Sequence, residues 1–364
     1  MSLTTQERYH LFIDGESVEP AEGEYRTTID PATEEPIAQY AAATAEDVDR
    51  AVEAARAAQA EWETTDPSER GVLLRDVAEA VRENIDSLAE IETRDQGKPI
   101  SYAKQLLQGA AATFDFYAGA ADKIEGDSIP IGEDGIDFTM EEPYGVSAQI
   151  IPWNTPLNLT AQGIAPALAA GNAVVVKPAP TTPLPPLYLA EVCQEAGVPD
   201  GLINVVNGGA EPGAALSGHD GVDTISFTGS VPTGQAVMES AAKNITPVTL
   251  ELGGKNPAVV MPDADLEEAV TAIQIGIFSN TGQICAAADR AIVHEDIYDE
   301  FVEMIVERAE GYSLGAGMDD ADMGPLNHEA HFEEVLDYIE TGIEEGATLE
   351  TGGAALDRDG YFVE

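Results

Sequence analysis

From residue 145 the sequence reads Gly-Val-Ser-Ala-Gln-Ile-Ile, and from residue 173 it reads Ala-Val-Val-Val-Lys. Both runs are short and apolar, which is typical of strands buried on both faces. The alternation continues through strand-like runs at Ile203–Val206, Thr224–Phe227 and Val248–Leu252, separated by helix-like runs at Leu159–Ala170, Leu184–Ala196, Pro212–Leu216 and Thr233–Lys243. We therefore predict an α/β fold in which helices cover both faces of a parallel sheet and ligands bind at the carboxyl ends of the strands.

Two chemically notable motifs follow that pattern. Residues 250–257 read Leu-Glu-Leu-Gly-Gly-Lys-Asn-Pro, and residues 282–286 read Gly-Gln-Ile-Cys-Ala. Glu251 ends a strand-like run, and Cys285 follows a helix-like stretch, Asp265–Phe278. Taken singly, they favour a solvated glutamate and a buried cysteine. Taken together, they favour a thiol nucleophile and a carboxylate base that form and then hydrolyse a thioester.

The composition limits the class of protein. A chain of 364 residues can bury a large core and divide into two domains. No apolar run is long enough for a membrane helix, and residues 1–10 lack a signal-peptide core. The two cysteines cannot form a disulfide framework and suit a reducing cytoplasm. Cys193 lies among apolar neighbours, so we interpret it as a packing residue.

The charge is strongly acidic, with 67 Asp and Glu against 17 Lys and Arg, giving a formal net charge of −50. This excludes a general nucleic-acid binder and disfavours anionic membrane surfaces. The acidic residues are spread along the chain, and 44% hydrophobic content argues against disorder. Such self-repulsion calls for counter-ions, so we expect a salt-rich cytoplasm of the kind found in halophilic archaea.

The remaining segments are predicted as scaffold. Residues 8–42 favour short strands and turns, and Thr44 to Asp47 resemble a capping box that opens a first helix. After a break at Asp66-Pro67-Ser68, one long second helix is expected to turn these residues inward: Val72, Leu73, Val77, Val81, Ile85, Leu88 and Ile91. A third helix is expected from about Ser101 to Ala121. Residues 125–143 favour an exposed hairpin, and helices are expected near Asp296–Glu310 and Glu329–Glu345.

The Glu251 and Cys285 motifs, 34 positions apart, resemble those of the aldehyde dehydrogenase superfamily, and the similarity extends over nearly the whole chain. The resemblance implies a Rossmann-like cofactor domain at residues 1–124 and 144–252. It also implies an oligomerisation β-arm at residues 125–143 and an incomplete α/β catalytic domain at residues 253–364. The expected protein is a cytoplasmic NAD(P)-dependent enzyme, a homo-oligomer in its intact form, acting on a small-molecule aldehyde.

The resemblance assigns the chemistry to three residues. Cys285 adds to the aldehyde, Asn154 and the Cys285 N–H stabilise the oxyanion, hydride is transferred to the nicotinamide, and Glu251 activates water to release the acid. Asn154 lies in Ile151-Pro-Trp-Asn-Thr-Pro156, whose prolines stiffen the loop, although an isolated Asn there is more often a turn residue. Glu251 favours this hydrolytic route over acyl transfer to coenzyme A.

The resemblance also implies the cofactor-binding residues, which are Ile151, Pro152, Trp153, Lys177, Gly229, Ser230, Gly234 and Leu252. Gly229 to Gly234 would let the backbone approach a pyrophosphate at a helix N-terminus. The family commonly has a Glu three residues after the Lys, where it binds the adenosine ribose and favours NAD. Pro180 stands there in this chain, so the choice between NAD and NADP stays open.

The resemblance implies a C-terminal truncation as well. The family continues beyond the phrase Gly360 to Glu364 into further strands and a Glu that binds the nicotinamide ribose. We expect a chain ending at residue 364 to be poorly active and prone to aggregation. The alternative hypothesis is a non-catalytic polypeptide that binds nucleotide or pairs with an intact homologue.

Overall fold

Five short strands open the described chain, which comprises residues 7–133 and 135–364 of this computed structural model. They confirm the strands and turns predicted for residues 8–42. β1 and β4 both pair with β5, while β2 pairs with β3. Their bounds are β1 (Arg8–Tyr9), β2 (Leu11–Ile13), β3 (Glu16–Val18), β4 (Tyr25–Ile29) and β5 (Pro36–Ala41).

Four helices follow. The capping box is confirmed, because Thr44 caps α1 and Asp47 occupies its third position. The prediction of a single long second helix is wrong, because α2 ends at Glu83 and α3 begins after Asn84. The predicted inward residues Val77, Val81, Leu88 and Ile91 are buried, and Leu73 and Ile85 are partly buried against the core. Only Val72 differs, because it is 54% exposed. The bounds are α1 (Ala45–Trp62), α2 (Pro67–Glu83), α3 (Ile85–Gln96) and α4 (Ile100–Ala120).

The described residues of the segment from 125 to 143 form an exposed hairpin, as predicted. Its two strands, β6 (Ser128–Ile129) and β7 (Asp137–Phe138), pair with each other in antiparallel orientation. Ile136 and Phe138 are exposed to 87% and 61%, so apolar side chains of the hairpin face solvent.

The alternating stretch forms the central sheet, and its five predicted strands are confirmed. Their order is β12-β11-β8-β9-β10, all parallel, and β2 and β3 extend this sheet beyond β10 in antiparallel orientation. Helix α5 starts at Pro156 rather than Leu159, because a proline fits the first turn of a helix. The bounds are β8 (Val146–Ile150), α5 (Pro156–Ala169), β9 (Ala173–Lys177), α6 (Leu184–Glu195), β10 (Ile203–Val205), α7 (Ala210–Ser217), β11 (Thr224–Gly229), α8 (Val231–Ala241) and β12 (Val248–Leu252).

A second, smaller unit follows residue 252. Its two strands pair in parallel, and Asp265 caps the helix between them by accepting a hydrogen bond from the Glu268 N–H. The predicted helices near residues 296–310 and 329–345 are confirmed. The bounds are β13 (Pro257–Val260), α9 (Leu266–Phe278), β14 (Arg290–Val293), α10 (Tyr298–Glu310) and α11 (Glu329–Glu344).

The principal core lies between the central sheet and the helices on its faces. Cys193 of α6 is fully buried there, and burial raises the pKa of its thiol to about 12, which confirms a packing role. Within the described residues, no helix has the length and apolar character needed to cross a membrane.

Candidate active site

Four parallel strands end along one edge of the central sheet, and β11 and β12 extend two residues beyond β8 and β9. Ile150 of β8 is paired with Lys177 of β9 on one side and with Phe227 of β11 on the other. Phe227 is paired in turn with Leu250 of β12. Because these strands are parallel, the segments that follow them start beside one another, as the sequence predicted.

A crevice is expected between β8 and β11, where the chain order of the strands reverses. Strand β9 lies on one side of β8, and the later β11 lies on the other. Ligands bind at such points in open α/β sheets. Helix α8 begins directly after β11, and its cap Ser230 accepts a hydrogen bond from the Thr233 N–H at 3.4 Å. The N-terminus of α8 therefore places its positive end at the crevice.

Gly234 allows α8 to lie close to the sheet. A Cβ at Gly234 would come within 2.9 Å of Leu252 Cδ2, and one at Gly229 would come within 2.6 Å of the Phe227 ring. The predicted glycines are thus needed for packing at the start of α8. The structure places Ser230 at the same helix end.

A cavity of about 210 Å³ lies between α7 and α8, at the ends of β8 and β9. Its wall consists mainly of small residues: Gly209, Ala210, Gly213, Ala214, Ser217, Ala236 and Ser240. Lys177 is the cationic residue of this lining. A mostly apolar cavity with a cation in its wall fits a nucleoside carrying a phosphate, so these residues suit the adenosine part of a dinucleotide.

The Asn154 loop continues from β8 and contacts the Cys285 loop. The Ile151 N–H donates to Lys177 O at 3.0 Å, which extends the β8–β9 pairing into the loop. Asn154 Nδ2 then donates to Gln283 O at 2.9 Å, two residues before Cys285. The structure therefore brings together two of the three predicted catalytic segments by a direct hydrogen bond.

A buried ion pair supports the same loop. Lys98 and Glu92 are both fully buried and bonded to each other. Lys98 Nζ also donates to Asn154 O at 2.8 Å, and Glu92 accepts from the Leu157 N–H at 3.3 Å in the first turn of α5. Burial lowers the pKa of Lys98, and the charge of Glu92 opposes that change. The pair thus fixes the backbone on both sides of Thr155.

The Cys285 loop starts in an unusual backbone conformation. Asn280, Thr281 and Gly282 have φ values of 52°, 60° and 73°, and a β-branched residue such as Thr281 is strained there. Side chains hold the turn: Asn280 Nδ2 donates to Asn154 O at 3.0 Å, and buried Gln283 accepts from the Asn327 N–H at 2.9 Å. The thiol of Cys285 beyond the turn is free and exposed.

Asn256 connects the Glu251 segment to the cysteine. Its Nδ2 donates to Cys285 O at 2.8 Å and to Ala287 O at 3.0 Å. Glu251 itself is exposed in β12, and no hydrogen bond joins it to Cys285 in the described part of the chain. The exposure of Glu251 leaves its carboxylate accessible to water.

An aromatic cluster surrounds Trp153. Its ring lies 5.7 Å from that of His328 and 5.1 Å from that of His331, measured between centroids. Burial lowers the pKa of both imidazoles, and His331 lowers the pKa of His328 further, while the carboxylate of Glu334 partly opposes both shifts. Neutral rings at the start of α11 therefore pack against the loop that carries Pro152 and Asn154.

Sequence reasoning missed Glu92, Lys98, Asn256 and the two histidines. Asn256 could have been found, because it stands in the quoted motif five residues after Glu251. Glu92 and Lys98 lie on either side of Gly97, which ends α3 with φ 102°. Their burial depends on α4 and α5, and no local pattern signals it.

The model of the aldehyde dehydrogenase family matches residues 18–364. The chain belongs to the aldehyde dehydrogenase family. It is 46% identical over 360 residues to aldehyde dehydrogenase 1 of Tanacetum cinerariifolium, covering 97% of this chain and 72% of that protein. It is 44% identical over 361 residues to retinal dehydrogenase 2 of Homo sapiens, covering 97% of this chain and 70% of that protein.

The solved structures confirm the predicted fold class. An NAD⁺ complex of aldehyde dehydrogenase from Bacillus cereus is similar with a TM-score of 0.96 and 42% identity, covering 98% of this chain and 74% of that one. The chain therefore spans 70–74% of the length of these three relatives.

Proposed function

We propose that this aldehyde dehydrogenase family member oxidises an aldehyde to a carboxylic acid with a nicotinamide dinucleotide. Family membership supports the reaction class. The cavity between α7 and α8, with Lys177 in its wall and the N-terminus of α8 beside it, supports dinucleotide binding. The bound dinucleotide supplies the hydride acceptor. The remaining chemistry belongs to Cys285, Asn154 and Glu251.

Cys285 is the nucleophile of the proposed reaction. Its exposed sulfur, as thiolate, bonds to the carbonyl carbon, and the carbonyl electron pair moves to oxygen. One N–H of Asn154 Nδ2 is occupied by Gln283 O, so the second can donate to that oxyanion together with the Cys285 N–H. Loss of hydride from the same carbon then leaves a thioester on Cys285.

Glu251 is the base of the second half-reaction. It takes a proton from water, the resulting hydroxide attacks the thioester carbon, and the C–S bond breaks. The acid leaves, and Cys285 is restored as thiolate. The exposure of Glu251 supports this role, because water reaches its carboxylate directly.

The hydrogen bond from Asn154 to Gln283 O carries the proposal, since it fixes an amide donor beside the cysteine loop. Two variants test it. Cys285→Ala should lower turnover by at least ~10⁴-fold, as expected for loss of a nucleophile. Glu251→Gln should still acylate, so rapid mixing should show a burst of reduced cofactor followed by slow steady turnover.

Parental steady turnover in either variant would contradict these roles. Nucleotide binding without turnover in the parental chain, over a panel of aldehydes, would instead favour the non-catalytic alternative. The panel should be broad, because relatives of nearly equal identity are named for retinal and for hydroxyisobutyraldehyde.

We also propose that the hairpin at residues 125–143 associates with a second copy of the chain. Ile131, Ile136, Phe138 and Met140 are all more than half exposed, and such apolar patches mark interfaces. Ile136→Asp combined with Phe138→Asp should lower the oligomer mass measured by light scattering. An unchanged mass would place the interface elsewhere.

A further inference from the structure

The adenosine cavity contains an uncompensated positive charge. Lys177 is only 6% exposed, and neither an ion pair nor a hydrogen bond of its Nζ occurs within residues 7–133 and 135–364. Burial, followed by the charge of Arg26, lowers the pKa of Lys177 to about 8. The ammonium group is therefore held in an environment that disfavours its charge, and a bound anion would offset that cost.

Arg26 of β4 supplies a second positive charge at this cavity. Its Nη1 lies 2.7 Å from the position that a Cβ on Gly209 would occupy, and Gly209 lines the cavity. Any side chain at residue 209 would displace the guanidinium. Arg26 forms no ion pair in the described residues, even though the chain carries a net charge of −50.

Arg26 is also linked to Pro180, where β9 leads into its loop. It lies beside Tyr40, whose hydroxyl donates to Pro180 O at 3.0 Å. Pro180 offers no carboxylate to accept hydrogen bonds from a ribose diol. A ribose bound beside Pro180 would therefore meet the cations Arg26 and Lys177 rather than a carboxylate acceptor.

We propose that Arg26 and Lys177 bind the 2′-phosphate of NADP, so that this chain prefers NADP to NAD. The inference rests on the proposed function only for the presence of a dinucleotide in the cavity. A guanidinium suits a phosphate because its donors match the phosphate oxygens in pairs, and the lysine adds a compact charge. The pyrophosphate, common to both cofactors, is left to the N-terminus of α8.

Calorimetric titration with 2′,5′-ADP and with ADP tests this without catalysis. The two ligands differ in the 2′-phosphate, and both are titrated at one fixed ionic strength because salt screens the contact. In the parental chain 2′,5′-ADP should bind at least ~10-fold more tightly than ADP. Equal affinities, or tighter binding of ADP, would overturn the proposal.

Three variants locate the contact. Arg26→Gln should weaken 2′,5′-ADP by about 10-fold while ADP changes by less than about twofold, and Arg26→Lys should recover part of the loss. Arg75→Gln, at an exposed position on α2, is the matched control and should change neither affinity. Pro180→Glu should weaken 2′,5′-ADP relative to ADP by like-charge repulsion.

If Arg26→Gln weakened both ligands equally, the cations would bind the shared pyrophosphate and the proposal would be wrong. Steady-state kinetics separates this outcome from failure of the proposed function. Turnover with NAD at least as efficient as with NADP overturns the cofactor preference alone. Retained 2′,5′-ADP selectivity without any aldehyde oxidation overturns the catalytic function alone.

Discussion

Residues 7–252 share one hydrophobic core, whereas residues 253–364 are divided between two small clusters. The first region buries apolar side chains continuously from Tyr9 to Ala241. The second has one cluster of Val260, Val270, Ile273 and Phe301 and another of Leu326, Tyr361 and Val363. The two regions also differ in charge density. Residues 253–364 carry a net charge of −22 over 112 residues, whereas the 252 residues before them carry −28.

The comparison shows how the Cys285 loop is held. Cys285 lies in the second region, with a thin core and high charge density. Its loop is nevertheless bonded to the first region, through Asn154 to Gln283 and through Asn327 Nδ2 to the carbonyls of Asp95 and Gln96, each at 3.3 Å. Hydrogen bonds, both across the two regions and from Asn256 within the second, therefore fix the Cys285 loop where the core around it is thin.

The largest expected effect comes from removing salt. The Debye length grows from ~3 Å at 1 M to ~10 Å at 0.1 M, so repulsion in the second region should rise most. We expect hydrogen exchange in α9, α10 and α11 to accelerate on dialysis from concentrated KCl, before that in β8, β9 and β11. If both regions lost protection together, they would not differ in their sensitivity to salt. If hydrogen exchange did not change at all, the expectation that the fold requires salt would be wrong.

The next effect is that of Lys98→Met. It leaves the carboxylate of Glu92 buried without its partner, so chemical denaturation should show a loss of about 3–5 kcal/mol in the free energy of unfolding. Turnover should fall as well, because Asn154 O loses the Lys98 donor.

A double variant separates stability from positioning. Lys98→Met with Glu92→Gln removes both charges and keeps an acceptor for the Leu157 N–H. We expect it to recover much of the lost stability while turnover stays low. Recovery of parental turnover in this variant would show that Lys98 does not position the Asn154 loop.

Asn256→Ala should give a smaller effect, confined to catalysis. It removes two hydrogen bonds to the Cys285 loop, and misplacement of a nucleophile lowers kcat/KM by about 10- to 100-fold. Dinucleotide affinity should be unchanged, since the cavity lies in the first region. Asn244→Ala, which removes one surface hydrogen bond to Gly218 O, is the control. Equal kinetics in the two variants would argue against the Asn256 anchor.

The smallest effect sharpens the contrast between the cores. Ile164→Val, at a fully buried site in α5, should cost about 1–1.5 kcal/mol, and Ile273→Val, 8% exposed in α9, about 0.5 kcal/mol. Denaturant melts in concentrated KCl measure both. A larger loss at Ile273 would mean that the small cluster is packed as tightly as the main core.

Much of the fold could be predicted from the sequence, because buried parallel strands are continuous apolar runs. β9 and β12 have the predicted bounds, and the remaining three strands differ by one or two residues. The break at Asn84 was missed because the apolar spacing continues across it. Strands β2 and β3 were predicted only as short strands, since β2 joins the central sheet by pairing with β10, nearly two hundred residues away in the sequence.

The sequence motifs allowed Cys285, Glu251 and Asn154 to be predicted as site residues, and their catalytic roles stay predictions. The residues that support this site could not be predicted from the sequence. Lys98 and Glu92 have the composition of a solvated helix end, and only the packing of α4 and α5 makes them a buried pair. The proximity of His328 and His331 to Trp153 is equally a tertiary result, because over 170 residues separate them in the sequence.

The contrast between the two thiols limits how this protein can recover from oxidative damage. A peroxide would convert exposed Cys285 to a sulfenic acid, which a neighbouring thiolate normally condenses with and rescues. Cys193, the other cysteine of the chain, is buried in α6 with its thiol pKa raised to about 12, so it cannot act as the resolving partner. Repair must come from a small thiol or reductase supplied by the cell, and prolonged peroxide exposure should advance Cys285 to the irreversible sulfinic state.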